Sequence, residues 1–190
     1  MINDYGATFE NDGIRSITTT PDNKYLFAGS RRGHLKQICL ERREVVHDYG
    51  QIHADEILCL ETTRDSKWLI TGSDDGHVKR ISVDNRQVDK DFGQVCDNEI
   101  MTMKISADDE KLFVGDYSGH LKLISLRDGQ VIKDFGQVHD DYITGIMITE
   151  DQKSFFTSSE YGELKQWNYE DNTLVRDHRQ IMSDNIFSLC

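Results

Sequence analysis

Histidines recur along this chain at a fixed distance, and histidine is a common metal ligand. His34, His77 and His120 are each separated by 43 residues. Equivalent positions in neighbouring copies of a sheet lie roughly 10 Å or more apart, whereas metal ligands converge to about 2 Å from one ion. We therefore expect these histidines to be turn residues that are copied with a repeat, and we expect no metal site.

Two further histidines, His53 and His139, precede apolar runs. We expect each to tie a connection between strands by hydrogen bonding rather than to act as a base. The chain contains no GxSxG, HExxH or phosphate-binding loop. A catalytic site on a repeat fold should break the repeat at one location. Here the departures from the repeat are scattered along the chain. The sequence therefore predicts a protein that is not an enzyme and has no cofactor.

The elements that position these residues form a repeat of 43 residues. One marker is a stretch like Gly-His-Leu-Lys that begins at Gly33, Gly76, Gly119 and Gly162. A second is Asp-aromatic-Gly-Gln, which begins at Asp48, Asp91 and Asp134. A third is an isoleucine at Ile14, Ile57, Ile100, Ile143 and Ile186. Three markers in one register indicate one structural unit that is repeated.

Within each unit the apolar residues alternate with period two, and Gly and Asp mark the breaks. The third unit shows four short runs at roughly ten-residue spacing, which is typical of an antiparallel meander. The second run of each unit is almost continuously apolar, as in Leu112–Val114, and this pattern indicates a strand covered on both faces. The sequence therefore predicts an all-β chain of four-stranded antiparallel sheets packed radially as a β-propeller. A stacked solenoid is the structural alternative.

The stretch from His139 to Asn168 resembles a WD40 repeat. Residues 149–153 resemble the family's Ser-Pro-Asp-Gly-Lys turn, and Trp167-Asn168 stands where Trp-Asp is expected. The resemblance covers nearly the whole chain. It implies a WD40-like propeller that acts in protein–protein interaction.

The chain also departs from the family pattern. Isoleucine replaces the tryptophan in the other units, and the family's turn aspartate is matched only by Asp75. We therefore expect no unit to carry the full His–Ser/Thr–Asp–Trp network, and we expect apolar packing between sheets to replace it.

The repeat predicts the extent of each blade and of the ends. The predicted blades are 14–49, 57–92, 100–135 and 143–177, and residues 1–13 and 178–190 are predicted to be edge remnants of neighbouring blades. An open arc of four blades would leave an apolar sheet face uncovered at each end. We expect a portion of a larger propeller, completed by further blades in the same chain or in a partner.

The connections between units are acidic, and in the WD40 arrangement they share one face with the turns between second and third strands. Carboxylates there, beside Tyr117, Tyr142 and Tyr161, could take a peptide or domain that bears Lys or Arg. An ordinary solvated rim is the alternative, and the ligand density of a calcium loop is lacking. The predicted partner-binding face consists of Asp55, Glu56, Asp74, Asp75, Asp97, Glu99, Asp140, Asp141 and Tyr142.

Composition limits the class of partner and the compartment. The formal net charge is −12, which disfavours nucleic acid and anionic lipid and favours basic protein segments. There is no apolar run long enough for a membrane span and no secretory signal pattern at the N-terminus. The four cysteines form no CxxC pair, so we expect reduced thiols and a cytoplasmic protein, with the nucleus, cytoskeleton or cilium as alternatives.

Three functions are compatible with these observations. The first is a non-catalytic scaffold for protein–protein interaction within a larger assembly. The second is a purely architectural component of a large complex, for example a cytoskeletal or ciliary one. The third is a regulatory propeller domain of a larger enzyme.

Overall fold

A computed structural model describes residue 9 and residues 11–180 of the 190-residue chain. The described residues contain sixteen β-strands and no helix. The strands form four antiparallel sheets of four strands each, and in every sheet the strands follow chain order. The predicted four-stranded antiparallel sheets are therefore confirmed. The chain divides into two compact units, Met1–Asp97 and Asn98–Cys190, each with two sheets.

The first unit contains the first and second sheets. The first sheet consists of β1 (Ile14–Thr19), β2 (Tyr25–Ser30), β3 (His34–Cys39) and β4 (Glu44–Gln51). The second sheet consists of β5 (Ile57–Thr62), β6 (Trp68–Ser73), β7 (His77–Ser82) and β8 (Gln87–Gln94).

The second unit contains the third and fourth sheets. The third sheet consists of β9 (Ile100–Ile105), β10 (Lys111–Asp116), β11 (His120–Ser125) and β12 (Val131–Gln137). The fourth sheet consists of β13 (Ile143–Ile148), β14 (Ser154–Ser159), β15 (Glu163–Asn168) and β16 (Leu174–Gln180).

The last strand of each sheet runs further than the sequence predicts. Gly50, Gly93 and Gly136 take positive φ values, and the residue after each still pairs with the third strand. Residues 178–180 therefore belong to β16 rather than to an edge remnant, with Arg179 at φ 53° where the other sheets have glycine. Of the two predicted remnants, residues 1–8, 10 and 181–190 lie outside the described residues.

Apolar packing joins the two sheets of each unit. In the first unit Phe27 and Leu35 share a buried cluster with Ile57 and Leu60 of the next sheet. The cluster of the second unit repeats this pattern and contains Phe113, Leu121, Ile143, Ile146, Phe155 and Trp167. The second strand of each sheet lies inside, which explains its continuous apolar run: Leu112, Phe113 and Val114 are all buried.

A repeated polar turn joins the first two strands of each sheet. In the first sheet the Thr20 hydroxyl donates to the Asp22 carboxylate, which also accepts the Lys24 amide. Asn23 takes a left-handed φ of 57°. These hydrogen bonds, led by the one from Thr20, lower the pKa of Asp22. The same Thr/Ser–Asp arrangement recurs at Thr63–Asp65, Ser106–Asp108 and Thr149–Asp151.

Lysines of the third strands face aspartates of the fourth strands in three of the sheets. Lys36–Asp48 (3.3 Å) and Lys79–Asp91 (3.1 Å) are ion pairs, and Lys165–Asp177 lies at 3.9 Å. The aspartates are solvent-accessible, so each pair contributes only about 0–1 kcal/mol. These pairs mark the repeat and do not form a functional site.

Candidate interaction surfaces

A buried histidine fastens the connection that enters the second sheet. The Nε2 atom of His53 lies 2.8 Å from the Thr71 hydroxyl, and its Nδ1 atom lies 3.1 Å from the Asp75 carboxylate. A carboxylate only accepts, so Nδ1 carries the proton and Nε2 accepts from Thr71. The prediction that His53 ties this connection by hydrogen bonds is confirmed.

Asp75 is engaged inside this sheet and is not a free surface group. Its carboxylate accepts the amides of Ala54 (2.8 Å) and His77 (2.9 Å) in addition to the His53 ring. Although burial acts to raise it, these hydrogen bonds keep the pKa of Asp75 below its ordinary value. The inclusion of Asp75 in a partner-binding face stays a prediction, and its oxygens already have donors within the chain.

The fourth sheet carries a complete network, which the sequence analysis did not predict. His139 Nε2 lies 2.8 Å from the Thr157 hydroxyl, and Trp167 Nε1 donates to the same oxygen at 3.0 Å. The carboxylate comes from Glu163, 2.9 Å from His139 Nδ1. The expectation that no unit carries the full His–Ser/Thr–Asp–Trp network is wrong for this sheet. Glu163, whose side chain is longer than that of aspartate and which lies two positions after Tyr161, takes the place of the aspartate. The role predicted for His139 is confirmed.

The first and third sheets have apolar residues at the repeat positions of Thr157 and Trp167. The first has Ala28 and Ile38, and the third has Val114 and Ile124, and all four side chains are buried. Here the predicted replacement of the network by apolar packing holds.

Burial lowers the pKa of both His53 and His139, although the neighbouring carboxylates act in the opposite direction. The folded chain therefore keeps both rings neutral to a lower pH than the unfolded chain, whose histidines titrate near 6.5. Below about pH 6.5 the unfolded state binds protons that the folded state does not. Stability that is present above this pH is lost as the pH falls.

We expect the free energy of unfolding to fall between about pH 6.5 and 5, by at most about 1.4 kcal/mol per pH unit for each histidine. Urea unfolding at a series of pH values measures it. The free energy of unfolding should change less steeply with pH in His139→Gln than in wild type. This difference in slope gives the contribution of the His139 ring alone, because the carboxylates titrate in both proteins. Equal slopes would contradict this prediction.

The predicted acidic residues of the first unit differ in their availability. Asp55 and Asp97 are exposed, and Asp74 is half-buried. Glu56 forms an ion pair with Arg15 at 2.6 Å. The negative charge of this surface is therefore partly neutralised by the chain itself.

The second unit brings aromatic and acidic groups together. The rings of Tyr117 and Tyr142 are stacked, with centroids 5.4 Å apart and an interplanar angle of 8°. Burial, and next a hydrogen bond with the Glu160 carboxylate, raise the pKa of Tyr142. Tyr161 is 63% exposed and Tyr117 is 53% exposed. Glu160 was missed by the sequence analysis, although it directly precedes Tyr161.

The connection beside these tyrosines supplies further carboxylates. Asp140 is exposed, and Asp141 is half-buried with an Oδ2 atom that has no hydrogen-bond partner. Glu99 is half-buried, and its backbone carbonyl accepts the Tyr117 amide at 3.0 Å. We call Tyr117, Tyr142, Tyr161, Asp140, Asp141 and Glu160 the tyrosine–acid surface.

A cavity of about 290 Å³ lies in the first unit. The Asp12 side chain is only 6% exposed, and its Oδ2 atom lies 3.5 Å from Nδ1 of His34. The sequence analysis placed Asp12 in an edge remnant and gave it no role. The charges around the cavity are mixed, so they do not select one class of ligand; its lining consists of Phe9, Asp12, Arg32, His34, Lys36 and Asp48.

Among residue 9 and residues 11–180, no group of three or more His, Cys, Asp or Glu side chains could hold a metal ion. That part of the chain also contains no helix that could cross a membrane.

Comparison with known proteins supports the resemblance found in the sequence. Residues 45–80 match the model of the WD40 family, described as WD domain, G-beta repeat. No curated protein matches the chain in sequence. A chain in a solved structure described as "Crystal Structure of Mitotic Checkpoint Complex" matches with a TM-score of 0.85 and 16% identity.

That match covers 95% of this chain but 55% of the other, so this chain spans about half the length of its structural relative. The predicted fold class is confirmed: the sheets are blades of a WD40-like β-propeller. In total 1682 chains in solved structures match the fold, which is too widely used to select one function.

Proposed function

We propose that this chain, a set of WD40-like propeller blades, is a non-catalytic scaffold for protein–protein interaction within a larger assembly. The fold commonly serves as such a scaffold, and the structural relative is part of a protein complex. The observation that carries the proposal is the stacked Tyr117–Tyr142 pair beside the exposed Asp140 and the half-buried Asp141 and Glu160.

The chemistry of the tyrosine–acid surface suits a basic peptide segment. Exposed tyrosine rings offer flat faces to a guanidinium or ammonium group. Asp140 and Asp141 lie in the connection that follows the third sheet, and Glu160 lies beside Tyr142. A net charge of −12 attracts basic partners over a longer range. We propose Lys or Arg side chains of a protein partner as the groups bound here.

The first unit is proposed to contribute less to this binding. Arg15 neutralises Glu56, and Asp75 is occupied by His53 and two amides. Asp55 and Asp97 remain exposed and are the acidic residues of this unit proposed to contact a partner.

Further blades and a cytoplasmic location complete the proposal. We propose that residues 1–190 are a portion of a propeller, completed by blades of the same chain or of a partner. The described cysteines Cys39, Cys59 and Cys96 are free thiols. Burial raises the pKa of Cys59, so this thiol is unreactive. Free thiols support a reducing compartment such as the cytoplasm.

Fluorescence anisotropy with a short arginine-rich peptide at low salt tests the tyrosine–acid surface. We expect Tyr117→Ala to weaken binding roughly three- to thirtyfold, because cation–π contacts contribute about 0.5–2 kcal/mol. Asp140→Asn combined with Asp141→Asn should also weaken binding and reduce its salt dependence.

The matched control is Asp128→Asn combined with Glu150→Gln, which removes the same charge. Asp128 lies between β11 and β12 and Glu150 lies between β13 and β14, so both are at the opposite end of the sheets. Equal losses in the two double variants would mean that only net charge matters, and the proposed surface would be rejected. Unchanged binding by Tyr117→Ala would reject the aromatic contact.

A further inference from the structure

An arginine of this chain shows how a guanidinium group is held by an aromatic ring and a carboxylate at once. The guanidinium carbon of Arg80, on β7, lies 4.6 Å from the centre of the Trp68 ring. The Nε atom of the same group donates to the Asp89 carboxylate at 2.8 Å. Both contacts are possible together because a guanidinium group is flat and its donors point outwards in its own plane. An ammonium group is a compact point charge and has no such flat face.

The tyrosine–acid surface offers the same aromatic component at an exposed position. Tyr142 covers one face of the Tyr117 ring, since the two rings are parallel and 5.4 Å apart. Tyr117 is nevertheless 53% exposed, so the opposite face of its ring is accessible. The stack also holds the ring in place, so less side-chain freedom is lost when a ligand binds.

A carboxylate lies beside this stack. The Tyr142 hydroxyl donates to the Glu160 carboxylate, and the Glu160 amide donates to the Tyr142 carbonyl at 3.3 Å. These two hydrogen bonds fix Glu160 next to the ring pair. A carboxylate has about four lone-pair sites, so a bond from a phenol leaves capacity for further donors. The surface therefore combines a flat ring with a positioned acceptor, as Trp68 and Asp89 do for Arg80.

The first unit provides an arginine of its own at the equivalent place. The residue two repeats before Tyr142 is Glu56, and the Nε atom of Arg15 lies 2.6 Å from its carboxylate. The residue two repeats after Arg15 is Met101, so the second unit has no arginine at that position. An arginine from a partner would thus give the second unit a contact like the one that the first unit makes within the chain.

We propose that the tyrosine–acid surface selects arginine over lysine, and that the partner's guanidinium group stacks on Tyr117 and donates to the Glu160 carboxylate. The inference rests on the proposed function and names the side chain that this surface binds. A guanidinium group is also more weakly hydrated than an ammonium group, so it loses less hydration when it moves from water onto a ring.

Fluorescence anisotropy with two peptides of the same length and charge tests the proposal. One peptide carries arginine at its basic positions, and the other carries lysine at the same positions. At one salt concentration we expect wild type to bind the arginine peptide roughly tenfold more tightly than the lysine peptide. A third peptide with dimethylated arginine keeps the charge but cannot make all the hydrogen bonds, so it should bind several-fold more weakly than the arginine peptide.

Two glutamine variants separate the assigned contact from a general effect of charge. Glu160→Gln should lower the ratio of the two affinities to roughly two- or threefold, because it removes a charge-assisted hydrogen bond. The matched control is Glu150→Gln, which removes the same charge from the turn between β13 and β14 and should keep the full ratio. Circular dichroism should show that both variants are folded.

The possible outcomes distinguish this inference from the proposed function. Equal affinities of wild type for the arginine and lysine peptides would overturn the selectivity and leave the binding of basic segments intact. Equal ratios in Glu160→Gln and Glu150→Gln would also overturn it, because the preference would then not depend on the Glu160 carboxylate. If neither peptide bound to wild type, the proposed binding of basic segments would be rejected together with the selectivity.

Discussion

Replacing Gly119 with alanine should destabilise the second unit by about 4 kcal/mol or more. The residue has a φ of +79°, and an added Cβ atom would lie 2.1 Å from the carbonyl oxygen of His139. A second backbone oxygen, that of Asp141, lies 2.7 Å away. The Gly119 carbonyl also accepts the amides of Val138 and His139. The turn at Gly119 is thus hydrogen-bonded to the connection at Val138 and His139. The two cannot move apart without the loss of these hydrogen bonds.

The chain supplies a matched control for this prediction in Gly136. It has a similar φ of +69°, but no atom lies within 4 Å of an added Cβ. Gly136→Ala should therefore cost only the left-handed conformation, about 1–2 kcal/mol.

Urea unfolding followed by tryptophan fluorescence separates the effects on the two units. The chain has two tryptophans, Trp68 in the first unit and Trp167 in the second, so a Trp68→Phe background reports on the second unit. Equal losses for the two alanine variants would show that the close approach of backbone atoms does not determine the cost.

Gly119 also shows why the fold could be predicted from the sequence. A Cβ atom added at Gly33, in the first sheet, would also lie 2.1 Å from the carbonyl oxygen of His53. A fixed backbone requirement at this turn preserves glycine in each copy, and this produces the 43-residue marker. The buried isoleucines at the start of the first strands have a similar origin, since they are enclosed by the neighbouring sheet. Markers that reflect backbone geometry and packing can be recognised without a structure.

The polar network of the fourth sheet could not be predicted in the same way. Comparison by repeat position assigns Tyr161 to the site of the carboxylate, whereas the structure uses Glu163 on β15. Which side chain reaches His139 depends on its length and direction, and a repeat position specifies neither. Asp75 shows the same limit, because its repeat position does not reveal that its carboxylate accepts from three donors within the chain.

The acidic face was predicted in composition but not in electrostatic detail. Glu56 was grouped with the other carboxylates, yet Arg15 lies 2.6 Å away. Arg15 has no basic counterpart in the other repeats, where Leu58, Met101 and Thr144 stand. A residue that differs from its counterparts in the other repeats can thus neutralise the charge of a residue that matches the repeat pattern. Only the distance between the two side chains reveals this.

Replacing Thr157 with valine should destabilise the second unit by roughly 2–6 kcal/mol, or about 1–3 kcal/mol for each of two groups that lose a partner. The fully buried Thr157 hydroxyl lies 2.8 Å from His139 Nε2 and accepts from Trp167 Nε1 at 3.0 Å. Valine has nearly the same shape, so the cost comes from unsatisfied polar groups rather than from a cavity. Urea unfolding of both proteins measures the difference.

Thr71→Val is the matched control in the second sheet. Thr71 bonds His53 at 2.8 Å, but Ile81 stands where the fourth sheet has Trp167, so one polar group loses its partner instead of two. We expect a loss of about 1–3 kcal/mol. Val114 occupies this position in the third sheet, which shows that a valine fits the backbone there when no histidine or tryptophan needs the hydroxyl.

A double-mutant cycle with Trp167→Phe identifies the second group. In that background the indole N–H is absent, so Thr157→Val should cost about 1–3 kcal/mol less than in wild type. Unfolding is followed by circular dichroism, because the variant lacks the reporting tryptophan. If the cost of Thr157→Val were the same in both backgrounds, the hydrogen bond between Trp167 and Thr157 would contribute nothing, and the network would consist of His139, Glu163 and Thr157 alone.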